Sequence, residues 1–400
     1  MKKVGAALSI FLLGFGGAAA GYWVMNRFDP QPAPLAQATP SVLLDEGEDS
    51  GATVQRATFS LNQLPTGAVD FRTPSRAIMD AVVSIDRIQA VRRNLFDDST
   101  TLRPTGSGSG VIISNDGLIV TNHHVIQGAQ AINVRLKDGR VLQAQIVGTD
   151  PRSDIALLRV SANNLRPAKI GTSKGLEVGE WVLAVGNPLG YSHTVSVGVV
   201  SSLGRTLAAD RFSLLVDAIQ TDAAINQGNS GGALANSKGE LIGINTAIAS
   251  TTGGSIGIGF AIPIDRVQRV VRDLQRDGRV RYGSLGELLY AVTLDSDPVR
   301  QELSTLTKAQ PPSRGVILRG VVPGSPLGNL GLERFDVITS IDGRDVSNPM
   351  DLEIALTDKR AGDRIKLSYW RKGEARTAEV TLAELGGSGR RAEFLQEDIF

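Results

Sequence analysis

The chain contains no cysteine. That excludes disulfides, thiolate metal sites and a cysteine nucleophile, while leaving the compartment open, since many exported proteins also lack cysteine. Histidine is nearly as scarce, with three in 400 residues (His123, His124 and His193) and no HExxH spacing. So few imidazoles argue against a metal site, and no cofactor is expected. The net charge of +1 provides no broad basic field. With no nucleic-acid motif either, nucleic acid is not an expected partner. Whatever chemistry the chain performs falls to hydroxyl, imidazole and carboxyl groups.

What is present suffices for two folded domains with cores of their own: 42% hydrophobic and 21% charged residues over 400 positions. At the N-terminus Lys2 and Lys3 precede an uncharged stretch from Val4 to Met25, 22 residues closed by Asn26 and Arg27. That length crosses a bilayer as one helix. Ala18, Ala19 and Ala20 also fit a signal-peptidase site, so a cleaved signal competes with an anchor. The continuation "YWVM" carries the apolar run and interfacial aromatics past the alanines, which favours an uncleaved anchor over residues 1–28, lysines inside and the rest of the chain outside the cytoplasm. Residues 29–73, with "DPQPAPLAQATP" and then "LLDEGEDSGA", read as a flexible stalk.

Residues 74–278 are dense in short Val/Ile/Leu runs broken by Gly, Asn and Asp: "GVIISNDGLIVT", "INVRLKDGRVLQAQIVG", "IALLRV", "WVLAVGNP", "GELIGINTAIA". This spacing predicts antiparallel sheets closed into barrels, with "NDG" and "KDGR" as hairpin turns. "PIDRVQRVVRDLQRDG" places Val267, Val270, Val271 and Leu274 at helical spacing, with Gly278 as the stop. Residues 281–384 read as a small separate α+β domain, and 385–400, with "GGSGRR", as a disordered tail.

"DAAINQGNSGGAL" sets Ser230 in a glycine-rich turn that also satisfies G-x-S-x-G, the nucleophile elbow of α/β-hydrolases. In that fold the acid and the histidine follow the serine, yet no histidine follows His193. Histidine, then aspartate, then serine is the order of chymotrypsin-like barrels, and the all-β pattern agrees. The aspartate belongs at the buried edge of a strand, where it accepts from the imidazole N–H. Asp154, leading the apolar "IALLRV", fits best. Asp150 lies in the turn before it, Asp217 and Asp222 lie near the serine, and Asp222 is expected to shape the serine loop.

"TNHHVI", "SDIALL" and "TDAAINQGNSGGAL" resemble the three catalytic blocks of the HtrA/Deg serine proteases, and "VVPGSPLGNLGL" resembles their PDZ domain, over about Thr73 to Leu382. The spacings of 30 residues from His124 to Asp154 and 76 from Asp154 to Ser230 are similar to that family's. The resemblance implies a mainly β chymotrypsin-like double barrel at 74–278, followed by a PDZ domain at 281–384, with an N-terminal transmembrane helix. In the family motif T-N-x-H-V the catalytic histidine is His124, with His123 at the variable position. The backbone N–H groups of Gly228, Asn229 and Ser230 then line an oxyanion hole. Ala224, Ile225, Asn245, Thr246 and Ala247 form the pocket for a small apolar residue before the scissile bond. Gln227 and Ala233 stand where the family usually has proline.

The same resemblance puts the carboxylate-binding loop of the PDZ domain at Ser284, Leu285, Gly286 and Glu287, of which Ser284 and Glu287 depart from the family's aromatic and aliphatic pattern. Anchor, stalk, a single PDZ domain and a short loop between Ile88 and Gly106 are together similar to the anchored, stress-sensing branch typified by DegS. That implies a homotrimer at the bacterial inner membrane, its catalytic and PDZ domains in the periplasm, acting on protein or peptide substrates. C-terminal peptides of misfolded proteins would bind the PDZ domain, a membrane-bound anti-sigma factor would be cleaved, and Arg205 would serve as the regulatory arginine of the sensor loop. Two other readings stand beside it: a general periplasmic quality-control protease, and a catalytically dormant PDZ peptide-binding scaffold.

Overall fold

The computed structural model describes residues 70–385, apart from 95–96, 189–192, 209–213, 227, 249–255, 287–290 and 295. The expected anchor, the stalk up to residue 69, the tail beyond 385, Gln227 and Glu287 therefore lie outside the described residues. Among the described residues no helix is long and apolar enough to cross a membrane.

Helix α1 (Arg72–Met79) leads into β1 (Val82–Asn94), β2 (Asp97–Ile112), β3 (Leu118–Thr121), the one-turn α2 (His123–Ile126), β4 (Ala131–Arg135), β5 (Val141–Asp150) and β6 (Ile155–Arg159). These six strands close into a barrel in the order β1-β2-β3-β6-β5-β4. The "NDG" and "KDGR" segments make its tight turns, with Gly117 N–H on Ser114 O and Gly139 N–H on Leu136 O. The expected loop between Ile88 and Gly106 is instead paired strand: β1 and β2 run on past a bulge after Arg87 as far as Asn94 opposite Asp97. Val91 pairs with Thr101 there, two β-branched residues that suit an extended ladder.

A second barrel follows: β7 (Trp181–Gly186), β8 (Thr194–Ala208), β9 (Leu214–Thr221), β10 (Ala233–Asn236), β11 (Leu241–Ile248) and β12 (Gly259–Pro263), closed in the order β10-β11-β12-β9-β8-β7. Alternation along the strands fills each barrel from inside. Val83, Ile85, Ile119, Val134 and Leu158 pack in the first, and Val182, Ala184, Ile219, Leu234 and Ile242 in the second. A separate cluster including Val111, Val120, Leu157, Leu183, Ile244 and Leu274 joins residues of both barrels. Helix α3 (Ile264–Asp277) adds Val267, Val270, Val271 and Leu274 to it, then ends at Gly278 in the left-handed conformation with its N–H on Leu274 O.

The remaining elements are β13 (Gly283–Ser284), β14 (Ala291–Thr293), α4 (Asp297–Thr307), β15 (Val316–Leu318), α5 (Pro326–Asn329), β16 (Val337–Ile341), β17 (Arg344–Asp345), α6 (Pro349–Leu356), β18 (Arg364–Arg371), β19 (Glu374–Thr381) and β20 (Ala383–Glu384). The sheet runs β14-β15-β16-β18-β19, which leaves β14 at its edge. Leu285, Val316, Ile338, Leu352, Leu367 and Leu382 fill the core of this domain. Helix α6 begins with a capping box between Asn348 and Asp351. Polar contacts tie the domain to the barrels: Tyr282 to Asp150, Arg360 to Asp273, Glu353 to Arg152, and Asp358 to Arg266 and Arg269.

Candidate active site

Strand β3 ends at Thr121, and the chain turns at Asn122 into the single helical turn that carries both adjacent histidines. They have different tasks. The His123 backbone N–H and the Asn122 side-chain amide both donate to the Asp154 carbonyl, at 3.1 and 3.0 Å. His124 meets the Asp154 side chain: its N–H lies 3.0 Å from Oδ1, and its Nδ1 lies 2.8 Å from Oδ2 and 3.0 Å from Oδ1. The aspartate side chain is 7% exposed and the imidazole 42%, so one edge of the ring is held by a buried acid while the ring itself reaches solvent. A carboxylate placed this way selects the Nδ1–H tautomer and leaves Nε2 as a base.

Asp154 sits in the turn between β5 and β6 at φ 56°, a left-handed angle uncommon outside glycine but better tolerated by aspartate than by most side chains. Thr246, on β11, donates its hydroxyl to Asp154 Oδ2 at 2.6 Å. The other aspartates are placed elsewhere. Asp150 is buried against Ser153 and Tyr282, Asp217 is exposed on β9, and Asp222 accepts from the Val199 N–H on β8.

Ser230 follows a turn whose glycines cannot be replaced without displacement. At Gly228 (φ 98°) a Cβ would lie 2.3 Å from Pro188 Cβ, and at Gly231 (φ 81°) one would lie 2.1 Å from Ser109 O. The Ser230 hydroxyl donates to the Thr246 carbonyl at 3.2 Å. A hydroxyl has one proton to give, so a turn about χ1 toward His124 precedes any transfer to the imidazole.

Several expected site residues have other roles in the structure. The Asn229 N–H donates to Asn226 O at 3.0 Å, so it is spent inside the turn and does not serve as an oxyanion donor; Gly228 and Ser230 remain as candidates. Ile225 is 1% exposed and packs in the core of the second barrel, not on a pocket wall. Asn245 is fully buried: its Nδ2 donates to Ala233 O, its N–H to Gly232 O, and its carbonyl accepts from Gly231, so it braces the serine turn. Thr246 is also buried and acts on Asp154 and Ser230. Ala224 is half-buried, with its carbonyl accepting from Ser196 and Asn229, and Ala247 lies in β11.

In the second domain Ser284 closes β13, Leu285 is buried in the core, and Gly286 takes φ 100° against Ser325. The Ser284 hydroxyl accepts from the Gly286 N–H at 3.0 Å, which occupies one amide of the loop expected to meet a carboxylate. Arg205 lies on β8 with its Nε 3.1 Å from Gln220 Oε1, across the ladder to β9.

Residues 108–244 match the trypsin-like peptidase domain family and residues 291–382 the PDZ domain family. A DegP-like periplasmic serine endoprotease of Pseudomonas putida (strain W619) is 43% identical over 278 residues, 70% of this chain and 56% of its own length. The chain thus spans little more than half of such relatives. The serine protease HhoA of Synechocystis sp. (strain PCC 6803) is 35% identical over 390 residues, 96% of this chain and 97% of that protein. Among solved structures, the HtrA-type protease AlgW with a decapeptide covers 80% of this chain and 99% of its own at 33% identity and a TM-score of 0.67. A serine endoprotease from Yersinia pestis covers 80% of this chain and 99% of its own at 32% identity and a TM-score of 0.59. With its two barrels, its paired His124 and Asp154 and its single PDZ domain, the chain belongs to the HtrA family of trypsin-like serine endoproteases.

Proposed function

We propose that the chain is a periplasmic serine endopeptidase, with His124, Asp154 and Ser230 as its catalytic group. The observation that carries this is the His124 imidazole held by a buried Asp154 that receives three donors, on the same seam as Ser230. Ser230 Oγ attacks the peptide carbonyl while His124 Nε2 takes its proton, then returns it to the leaving amine. The N–H groups of Gly228 and Ser230 meet the developing oxyanion, each contributing about 3 kcal/mol to transition-state stabilisation. Ala224 borders a pocket for a small apolar side chain.

Residues 1–28 anchor the enzyme in the bacterial inner membrane, and it works as a homotrimer. Free C-termini of misfolded proteins bind along β14 by strand addition, relieve inhibition, and allow cleavage of a membrane-bound anti-sigma factor. Support for gating comes from the Ser230 hydroxyl resting on Thr246 O, and from the AlgW structures with a decapeptide and a tripeptide. The DegP-like naming of other relatives favours a second reading, general quality control of periplasmic proteins.

Labelling of Ser230 by a fluorophosphonate, with Ser230→Ala as blank, tests both. Labelling that rises at least severalfold with particular peptides bearing free hydrophobic C-termini is the expected result. Full labelling without peptide would favour the quality-control reading. No labelling in a folded chain would leave a peptide-binding scaffold.

A further inference from the structure

Ser109, near the end of β2, lies in the first barrel, yet four hydrogen bonds tie it to the segments that build the active site. Its N–H donates to Ser230 O at 2.8 Å and its hydroxyl to Gly228 O at 2.5 Å. The same hydroxyl accepts from the Asn187 N–H at 2.8 Å, just past β7, and the Ser109 carbonyl accepts from the Thr121 hydroxyl at 2.6 Å, three residues before His124. The residue is fully buried, so its hydroxyl has no water to fall back on.

A trans peptide is planar, with C=O and N–H pointing in opposite directions, so a plane held at both ends cannot flip. The Gly228–Asn229 plane is held at its oxygen by Ser109 Oγ and at its N–H by Asn226 O. The Ser230–Gly231 plane is held at its oxygen by the Ser109 N–H and at its N–H by Asn245 O. Between them, Asn229 O accepts from the Gly232 N–H, which turns the Ser230 N–H to the opposite side. That N–H is one of the two oxyanion donors proposed above.

We propose that Ser109 is a positioning residue for peptide hydrolysis: its hydroxyl, reaching across from the first barrel, holds the Gly228–Asn229 peptide in the orientation that presents the Ser230 N–H to the oxyanion. Backbone contacts alone would survive substitution, whereas the bond to Gly228 O needs a donor on the side chain. Ser109→Ala leaves the Asn187 N–H without its partner in a buried site and Gly228 O without its partner in a part-buried one. The loss falls on the step in which the oxyanion forms, since ground-state substrate contacts do not pass through this bond.

The inference rests on the protease reading, and the test separates the two. Wild type, Ser109→Ala, Ser109→Cys, Ser109→Thr and Ser230→Ala are compared as full chains. The readouts are kcat and KM for a peptide anilide, affinity for a peptidyl boronic acid whose tetrahedral adduct carries the oxyanion, and thermal unfolding. Ser109→Ala should lower kcat on the order of 10- to 100-fold, weaken the boronic acid in step, and leave KM within about twofold. Ser109→Thr, which keeps the hydroxyl, should restore most of the rate. Equal activity in wild type and Ser230→Ala would overturn the protease reading and this role with it. An active wild type matched in kcat and boronate affinity by a folded Ser109→Ala would overturn the Ser109 role alone. If Ser109→Ala fails to fold, Ser109→Cys decides, because it fills similar space with a weaker donor: a full kcat overturns the role and a lowered one upholds it.

Discussion

Asp154 combines a left-handed backbone, which costs most non-glycine residues about 1–2 kcal/mol and an aspartate less, with the placing of its carboxylate under His124. The strain is offset by donors on both sides of the residue: His123 N–H and Asn122 at the carbonyl, His124 and Thr246 at the carboxylate. Thr246→Val keeps the side-chain shape and removes one donor to a charged acceptor, an interaction of about 1.5–3 kcal/mol. It should lower kcat roughly 10-fold or more, and an unchanged kcat in steady-state kinetics would remove Thr246 from the machinery. The two histidines give a sharper contrast. His124→Ala should drop hydrolysis by at least about 10³-fold. His123→Ala should stay within about twofold, because alanine keeps the backbone N–H that holds Asp154 O. Peptide hydrolysis by the two variants side by side checks this, and equal losses would refute the assignment of roles. Chain order and block motifs made His124, Asp154 and Ser230 candidates from the sequence alone. The part played by Thr246 was not visible there, because its bond to Asp154 spans 92 residues and exists only once two barrels face each other. Asn229 illustrates the same limit: a motif names the residues of a turn but not which of its N–H groups the turn consumes.

Local signals served the elements well wherever a turn or a cap sets the boundary. The "NDG" and "KDGR" turns and the stop of α3 at Gly278 depend on neighbours within a few residues, and each stands where composition put it. Strand partners depend on residues far apart, so the spacing pointed to closed barrels but not to the strand order within each, nor to the pairing of β1 with β2 out to Asn94. Ile225 and Asn245 were misplaced for the same reason, since whether a side chain enters a pocket or a core depends on register. Helix α3 is the element with most at stake in its end. One side of it fills the cluster shared by both barrels, and Arg266, Arg269 and Asp273 make ion pairs with the PDZ domain. Gly278 holds φ 69° with its N–H on Leu274 O. Gly278→Ala should therefore cost about 1 kcal/mol, read as a lowered urea midpoint with an unchanged slope. A midpoint equal to wild type would show that the helix end relaxes without strain.

Across the whole molecule, the turn that carries Asp154 is also the turn on which the PDZ domain rests. Asp150 closes β5 and is buried beneath Tyr282, whose hydroxyl donates to it at 2.6 Å, while the Ser153 hydroxyl donates to the same oxygen. Arg152 stacks on the Tyr282 ring at 4.8 Å and pairs with Glu353 on α6, and Arg360 approaches the ring at 5.2 Å while bound to Asp273. Burial pushes the Asp150 carboxyl above the usual carboxylate range, despite the two hydroxyl donors and the nearby Arg152 charge, and burial likewise pushes the Tyr282 hydroxyl well up. An acid whose folded value exceeds its unfolded one, near 3.9, contributes stability that is fully present below the unfolded value. That contribution is lost as the pH rises through the folded value, where a charge must be held in a dry site. Carboxyls such as Asp80 and Asp358, held low by their basic partners, act in the opposite direction, so the total pH profile mixes the two. Asp150→Asn isolates one contribution, because the amide keeps the shape and cannot ionise. Urea midpoints of wild type and Asp150→Asn, measured from about pH 4 to about pH 8, should diverge with rising pH, the wild type losing ground to the variant. Parallel curves would mean that Asp150 keeps one protonation state throughout. Divergence would mean that the contact between the PDZ domain and the Asp154 turn weakens as the medium becomes less acid, and Tyr282→Phe, which deletes one donor to the carboxylate, should then enlarge the loss.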